Sequence, residues 1–161
     1  MKVNVIALEG SGRNWVQSLF AKHPQLEIWG ESFPCFGWPN RYYPTPVDGA
    51  DALIVIVRDK NCQEASVNRR GFHNGVPEGM FTPEISLAEV TKQIELARAK
   101  QIPIHFFDYE AALLYRQVYM NWFFESLGLV EVPIKTEWKD ENRKNFRDES
   151  HPPLHPSNQE A

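Results

Sequence analysis

The sequence predicts an α/β protein: a three-layer α/β/α arrangement with a mainly parallel sheet. Two observations carry this. Short apolar runs at residues 3–8 (VNVIAL), 52–57 (ALIVIV) and 103–107 (PIHFF) alternate with segments whose apolar residues recur at helical spacing. The run at 52–57 has no polar interruption, the pattern of a strand covered on both faces. The resulting order is strand, helix, strand, helix, helix, strand, helix, which suits an open parallel sheet whose connections pass over its two faces.

The first strand, 3–8, is bounded by Glu9-Gly10-Ser11-Gly12. A helix follows over 13–22, with Trp15, Val16, Leu19 and Phe20 at helical spacing, and His23-Pro24 ends it because a residue before proline is driven out of helical geometry. Residues 26–29 form a short strand leading to Gly30-Glu31, and 33–51, rich in Pro, Gly and aromatics, form a long loop. After the strand 52–57, residues 61–70 read as a helix, and 71–83, with three glycines and two prolines, as a second mobile loop. Ser86-x-x-Glu89 is a capping box opening a helix to about Lys100, with Leu87, Val90, Ile94 and Ala97 on one face. The strand 103–107 leads into a long helix over 109–127, stopped by Gly128 and presenting Leu113, Val118, Trp122 and Phe123 to the core. One domain over 1–135 and a polar, partly disordered tail over 136–161 are expected.

The 161 residues suffice for one core. Apolar content of 42% and charged content of 24% are those of a soluble globular chain, and the net charge of −4 argues against a broad nucleic-acid or anionic-membrane surface. No run approaches the roughly 20 apolar residues of a membrane span. The first eight residues read as a strand and not as a leader, so a cytoplasmic protein is expected. Cys35 and Cys62 have neither metal-ligand spacing nor a disulfide framework.

In such folds ligands sit at the carboxyl ends of the strands, so the loops after Leu8, Val57 and Phe107 share one face. The first is the richest. Gly10 and Gly12 allow close backbone approach, the start of the helix offers N–H groups and a positive dipole end, Ser11 and Asn14 add donors, and Arg13 adds a cation with a phosphate-matched fork. No lysine follows the glycines, so this is not a Walker A loop. A tight turn with no ligand has an equal claim on these residues alone. Arg58 follows the central strand and Ser66 lies eight residues later; together they can grip one phosphate, or Arg58 can pair with Asp59 and Ser66 can face solvent. Glu31 is placed to act as a general base, against the plainer reading of a surface carboxylate. Asp108-Tyr109-Glu110 reads as mainly structural, its acids capping the next helix. His73 and His105 read as structural or solvated. Trp29, Phe33, Phe36, Trp38, Tyr42 and Tyr43 suit either a ring-stacking pocket or a small satellite core.

Taken in order, these pieces resemble the PAPS-dependent sulfotransferases, a branch of the P-loop superfamily. The resemblance rests on Gly10-Ser11-Gly12-Arg13-Asn14-Trp15, then His23-Pro24, Gly30-Glu31, Val57-Arg58-Asp59 with Ser66, Tyr109-Glu110 and Leu127-Gly128-Leu129, and covers about residues 3–130. It implies a P-loop, sulfotransferase-like fold and transfer of a sulfuryl group from PAPS (3′-phosphoadenosine 5′-phosphosulfate) to a hydroxyl or amine on a small molecule or glycan. Under it, residues 10–15 hold the 5′-phosphosulfate, Arg58 and Ser66 the 3′-phosphate, and Glu31 takes the acceptor's proton. No metal is expected. The chain departs from the family pattern at Gly10, where a cation is usual; Arg13 is the substitute expected to assist catalysis. A phosphotransferase using ATP or GTP and an inactive nucleotide-binding module are the alternatives.

Overall fold

The computed structural model describes residues 1–8, 10–29, 47, 49–69, 83–136 and 138. Four strands are present among them, β1 (Lys2–Ala7), β2 (Glu27–Ile28), β3 (Ala52–Val57) and β4 (Ile104–Asp108), with five helices, α1 (Arg13–Phe20), α2 (Lys60–Arg69), α3 (Pro83–Ala99), α4 (Tyr109–Tyr115) and α5 (Gln117–Ser126). The sheet has the order β2-β1-β3-β4, and all pairings are parallel. Register is set centrally, with Val3 opposite Ala52 and Ala7 opposite Ile56, then Leu53 opposite Ile104 and Val57 opposite Asp108.

Both faces are covered, which is why β3 reads as an unbroken apolar run and Asn4 is buried along with the apolar residues of β1. Val3, Val5, Ala7, Ala52, Ile54, Ile56 and Phe107 face one cluster with side chains of α1, α4 and α5. Its centre is a set of rings: Phe20 lies edge-on to Phe107 at 5.3 Å and stacks on Phe123 at 5.6 Å, and Phe107 meets Tyr119 at 5.2 Å. Ile6, Leu53 and Val55 face a second cluster with Val90 and Ala97 of α3. The α/β parallel-sheet fold read from the sequence is therefore the one present.

Several local readings change. The single helix expected over 109–127 is two helices. Arg116 N bonds Ala112 O at 2.9 Å and closes α4; Arg116 then takes φ 52°, ψ −122°, and α5 restarts as Met120 N bonds Arg116 O at 3.1 Å. The break turns the expected core stripe: Leu113 and Phe123 are buried, but Val118 and Trp122 are exposed. Its cause is tertiary. Gln117 Nε2 donates to Val132 O at 2.9 Å, and Gln117 Oε1 accepts from Ile134 N at 2.7 Å, so the first residue of α5 is tied to a distant segment. Ser86 does not open α3, which begins at Pro83, a residue suited to a first helical position. Leu87 is exposed, and Gln93 shares the buried face with Val90 and Ala97.

Two helix ends close as Schellman turns. Gly128, at φ 72°, donates to Glu125 O at 2.8 Å while Leu129 N reaches Phe124 O at 2.9 Å, so Gly128 is the stop expected of it. At the end of α3 the left-handed place is taken by Gln101, at φ 57°, which donates to Arg98 O at 3.1 Å while Ile102 N reaches Ala97 O at 2.9 Å. His23 is buried; its Nδ1 accepts from Gln25 N at 3.2 Å and its Nε2 lies 2.9 Å from Val130 O. A carbonyl can only accept, so Nε2 carries the proton, and the histidine that ends the first helical segment also pins the chain leaving α5.

Candidate phosphate-binding site

The strand order decides where a site can form. The connection leaving β1 goes to β2 on one side, and the connection leaving β3 goes to β4 on the other. The carboxyl ends of β1 and β3 are thus neighbours whose loops diverge, the switch point at which open parallel sheets bind ligands. The loop after Leu8 and Arg58 stand on its two sides, as the sequence reading required.

Ser11 N donates to Leu8 O at 3.1 Å and closes the turn before α1. Gly10 within it holds φ 78°, the left-handed region that favours glycine. A β-carbon on Gly10 would lie 2.7 Å from Gln63 O and 2.9 Å from Val67 Cγ2, so α2 packs directly onto the turn. Gly12 follows at φ 76° as the N-cap of α1 and supplies no side-chain cap; Trp15 N and Val16 N bond its carbonyl at 3.0 and 3.2 Å. Both glycines hold positive φ, and α1 begins directly after them with its positive dipole end, which favours an anion.

The remaining parts converge from β3 and β4. The side chain of Arg58 is buried, 3% exposed, and its Nη1 donates to Gly10 O. Its guanidinium carbon lies 4.5 Å from the centre of the Tyr109 ring. Its Nε is 3.7 Å from Glu110 Oε1, and Glu110 Oε2 accepts from Asp59 N at 3.0 Å. Asp59 caps α2 through Cys62 N at 2.9 Å. Glu110 is thus a partner of Arg58, and the carboxylate of the adjacent Asp59 caps the helix. Asp108 is the acid that caps α4, accepting from Ala111 N at 2.8 Å.

Chain comparisons give no further guide. No family model, no curated protein and no solved structure matches the chain.

The expected residues fall as follows. Gly10, Ser11, Gly12, Arg13, Asn14 and Trp15 form the turn and the first turn of α1; Ser11 is buried, Arg13 half-buried and Asn14 exposed. Trp15 meets Tyr109 edge-on at 5.0 Å and Trp138 at 6.1 Å, so the core side of the turn is closed by rings. Ser66 is buried on α2, next to Val67, which touches Gly10; it does not face solvent. Glu31, Cys35, His73 and, apart from Trp29, the expected ring cluster at 29–43 lie outside the described residues.

Sequence reasoning passed over Glu110 as a site residue. The signals for it were its place directly after the third strand, at the same sheet edge as Arg58, and the Tyr109-Glu110 pair that the family resemblance includes. Burial pushes the Cys62 thiol up to about 12, helped by the hydrogen bond and charge of Asp59. A neutral thiol there leaves the charge of the site to Arg13, Arg58, Asp59 and Glu110. Among the described residues no group of three His, Cys, Asp or Glu side chains stands close enough to hold a metal, and no described helix is long and apolar enough to cross a membrane.

Proposed function

We propose that this chain binds PAPS at the switch point and transfers its sulfuryl group to a hydroxyl or amine of a small-molecule or glycan acceptor. The observation that carries the reading is the meeting of the Gly10–Gly12 turn with Arg58 across the diverging ends of β1 and β3. Backbone amides at the start of α1, with Arg13 and Asn14, hold the 5′-phosphosulfate. Arg58 and Ser66 are the side chains that the family resemblance gives to the 3′-phosphate. Glu31 takes the acceptor proton as the sulfur–oxygen bond to the acceptor forms and the bond to the leaving phosphate breaks. Catalysis rests on alignment and on stabilising charge at that leaving oxygen, with Arg13 as the cation nearest to hand. No nucleic acid and no membrane enters this reading, and its setting is cytoplasmic.

Thermal unfolding with PAP, PAPS, ATP and Mg-ATP tests it. PAP at a hundredfold excess over its Kd adds about 2.7 kcal/mol, or roughly 5–10 °C in Tm for a chain of this size. Stabilisation by PAP and PAPS but not by Mg-ATP is expected; stabilisation by Mg-ATP alone transfers the site to a phosphotransferase. Glu31→Gln is expected to retain PAP binding and lose sulfuryl transfer. Retention of transfer removes Glu31 from the mechanism.

A further inference from the structure

The first cation of the site does not act alone. We infer that Glu110 is a positioning residue: it sets the phosphate-binding turn by holding Arg58 against the carbonyl of Gly10. This rests on the phosphate-binding reading above and adds a residue to it.

Arg58 directly follows β3, and its guanidinium is held from several sides. The Gly10 carbonyl takes the Nη1 proton, the face of the Tyr109 ring lies 4.5 Å from its centre, and Glu110 Oε1 stands 3.7 Å from Nε. Tyr109 and Glu110 are consecutive residues at the start of α4. A single backbone segment therefore supplies both the surface beneath the guanidinium and the anion at its edge. Glu110 is itself fixed, because its second oxygen takes the backbone proton of Asp59 at 3.0 Å. The carboxylate thus ties the end of β4 to the end of β3, and the planar fork of Arg58 carries that fix on to the end of β1. An arginine suits this task because its donors are rigid relative to one another. Pinning the Gly10 carbonyl fixes the peptide plane it shares with Ser11 N, the group that closes the turn.

A carboxylate beside an anion site has an opposing effect that makes the inference decidable. Its negative charge repels phosphate. If Glu110 acted only through its charge, Glu110→Gln would tighten PAP binding. If it were only a packing residue, Glu110→Gln would lower Tm and leave the affinity for PAP as it was. As a positioning residue it predicts weaker binding despite the loss of repulsion.

Two measurements on the full chain test this. In the ligand-free protein, amide hydrogen exchange at Ser11, whose N–H closes the turn, is expected to speed by about tenfold in Glu110→Gln while amides in the middle of β3 keep their rates. In titrations with PAP, Kd is expected to rise about tenfold in Glu110→Gln and further in Arg58→Lys, which also alters a phosphate ligand, and adding Glu110→Gln to Arg58→Lys is expected to raise Kd by no more than about twofold, because Glu110 acts through Arg58. Unchanged exchange at Ser11, or a tighter PAP complex in Glu110→Gln, overturns the inference. Wild-type protein that ignores PAP, with faster Ser11 exchange in Glu110→Gln, instead overturns the PAPS reading and leaves the role of Glu110 in the turn standing.

Discussion

The ring of Tyr109 lies against Gly12 so closely that a β-carbon there would fall 2.9 Å from Cδ2 and closer still to Cε2. Gly12 also holds φ 76°, a conformation L side chains resist. The two costs are separable because Gly128, at φ 72°, has nothing within 4 Å of a β-carbon. Gly128→Ala is expected to cost about 1–2 kcal/mol, the strain of the left-handed backbone alone. Gly12→Ala adds the overlap with a buried ring, for a total of about 3–4 kcal/mol. Chemical denaturation of the two variants measures the difference; equal losses would mean that the Tyr109 ring moves aside freely.

Gln101 reverses that situation. It occupies the left-handed position of a Schellman turn that glycine prefers. Gln101→Gly is expected to stabilise the fold by about 0.5–1 kcal/mol, read as a rise of roughly 1–4 °C in Tm. A fall in Tm would show that the Gln101 side chain contributes more than its backbone costs.

Gln93 carries a different burden. It is buried among Val90 and Ala97, its Nε2 reaches Glu89 at only 3.4 Å, and its Oε1 has no hydrogen-bond partner among the described residues. An unpaired buried carbonyl costs about 1–3 kcal/mol. Gln93→Met keeps the length of the side chain and removes the cost, so a gain of about 1 kcal/mol in unfolding free energy is expected. Destabilisation would mean that the long bond to Glu89 outweighs the orphaned oxygen.

Stability is expected to fall on both sides of neutrality, for separate groups. Burial lowers the pKa of His105 below its ordinary 6.5. The unfolded chain then takes up a proton at His105 that the folded chain refuses, so stability present above pH 6.5 is lost as the pH falls below it. On the alkaline side, burial raises Cys62 from 9.0 to about 12 and Tyr119 from 10.0 to about 12. The unfolded chain ionises first, so their contribution is complete below about pH 9 and declines from there towards 12. Denaturant midpoints across this range check it. His105→Gln is expected to flatten the acid limb and Cys62→Ala the alkaline one; unchanged limbs would assign the losses to other groups.

The sequence was legible where one element's own residues decide its structure. The bounds of β3 are those of the apolar run ALIVIV, and Gly128 ends its helix through its own backbone freedom. It was illegible where a distant partner decides. Nothing at Arg116 resembles a breaker, since the break belongs to Gln117 and the carbonyl and amide of Val132 and Ile134. Half of the site's logic was visible in the same way. The glycines and Arg58 announce themselves by type and position. The pairing of Arg58 with Glu110 joins the residue after β3 to α4, and no spacing in the sequence announces it.

The hydroxyl of Tyr119 accepts from the backbone of Asp108 at 2.7 Å, at the far end of β4, the outermost strand on its side of the described sheet. The sheet is thus terminated there by a side chain. A bare strand rim invites another chain to add itself, and an aromatic hydroxyl over the last amide denies such an intruder one of its first footholds. Self-association on concentration would be the price of its loss, so a phenyl ring at this position would leave the core filled and the border unguarded.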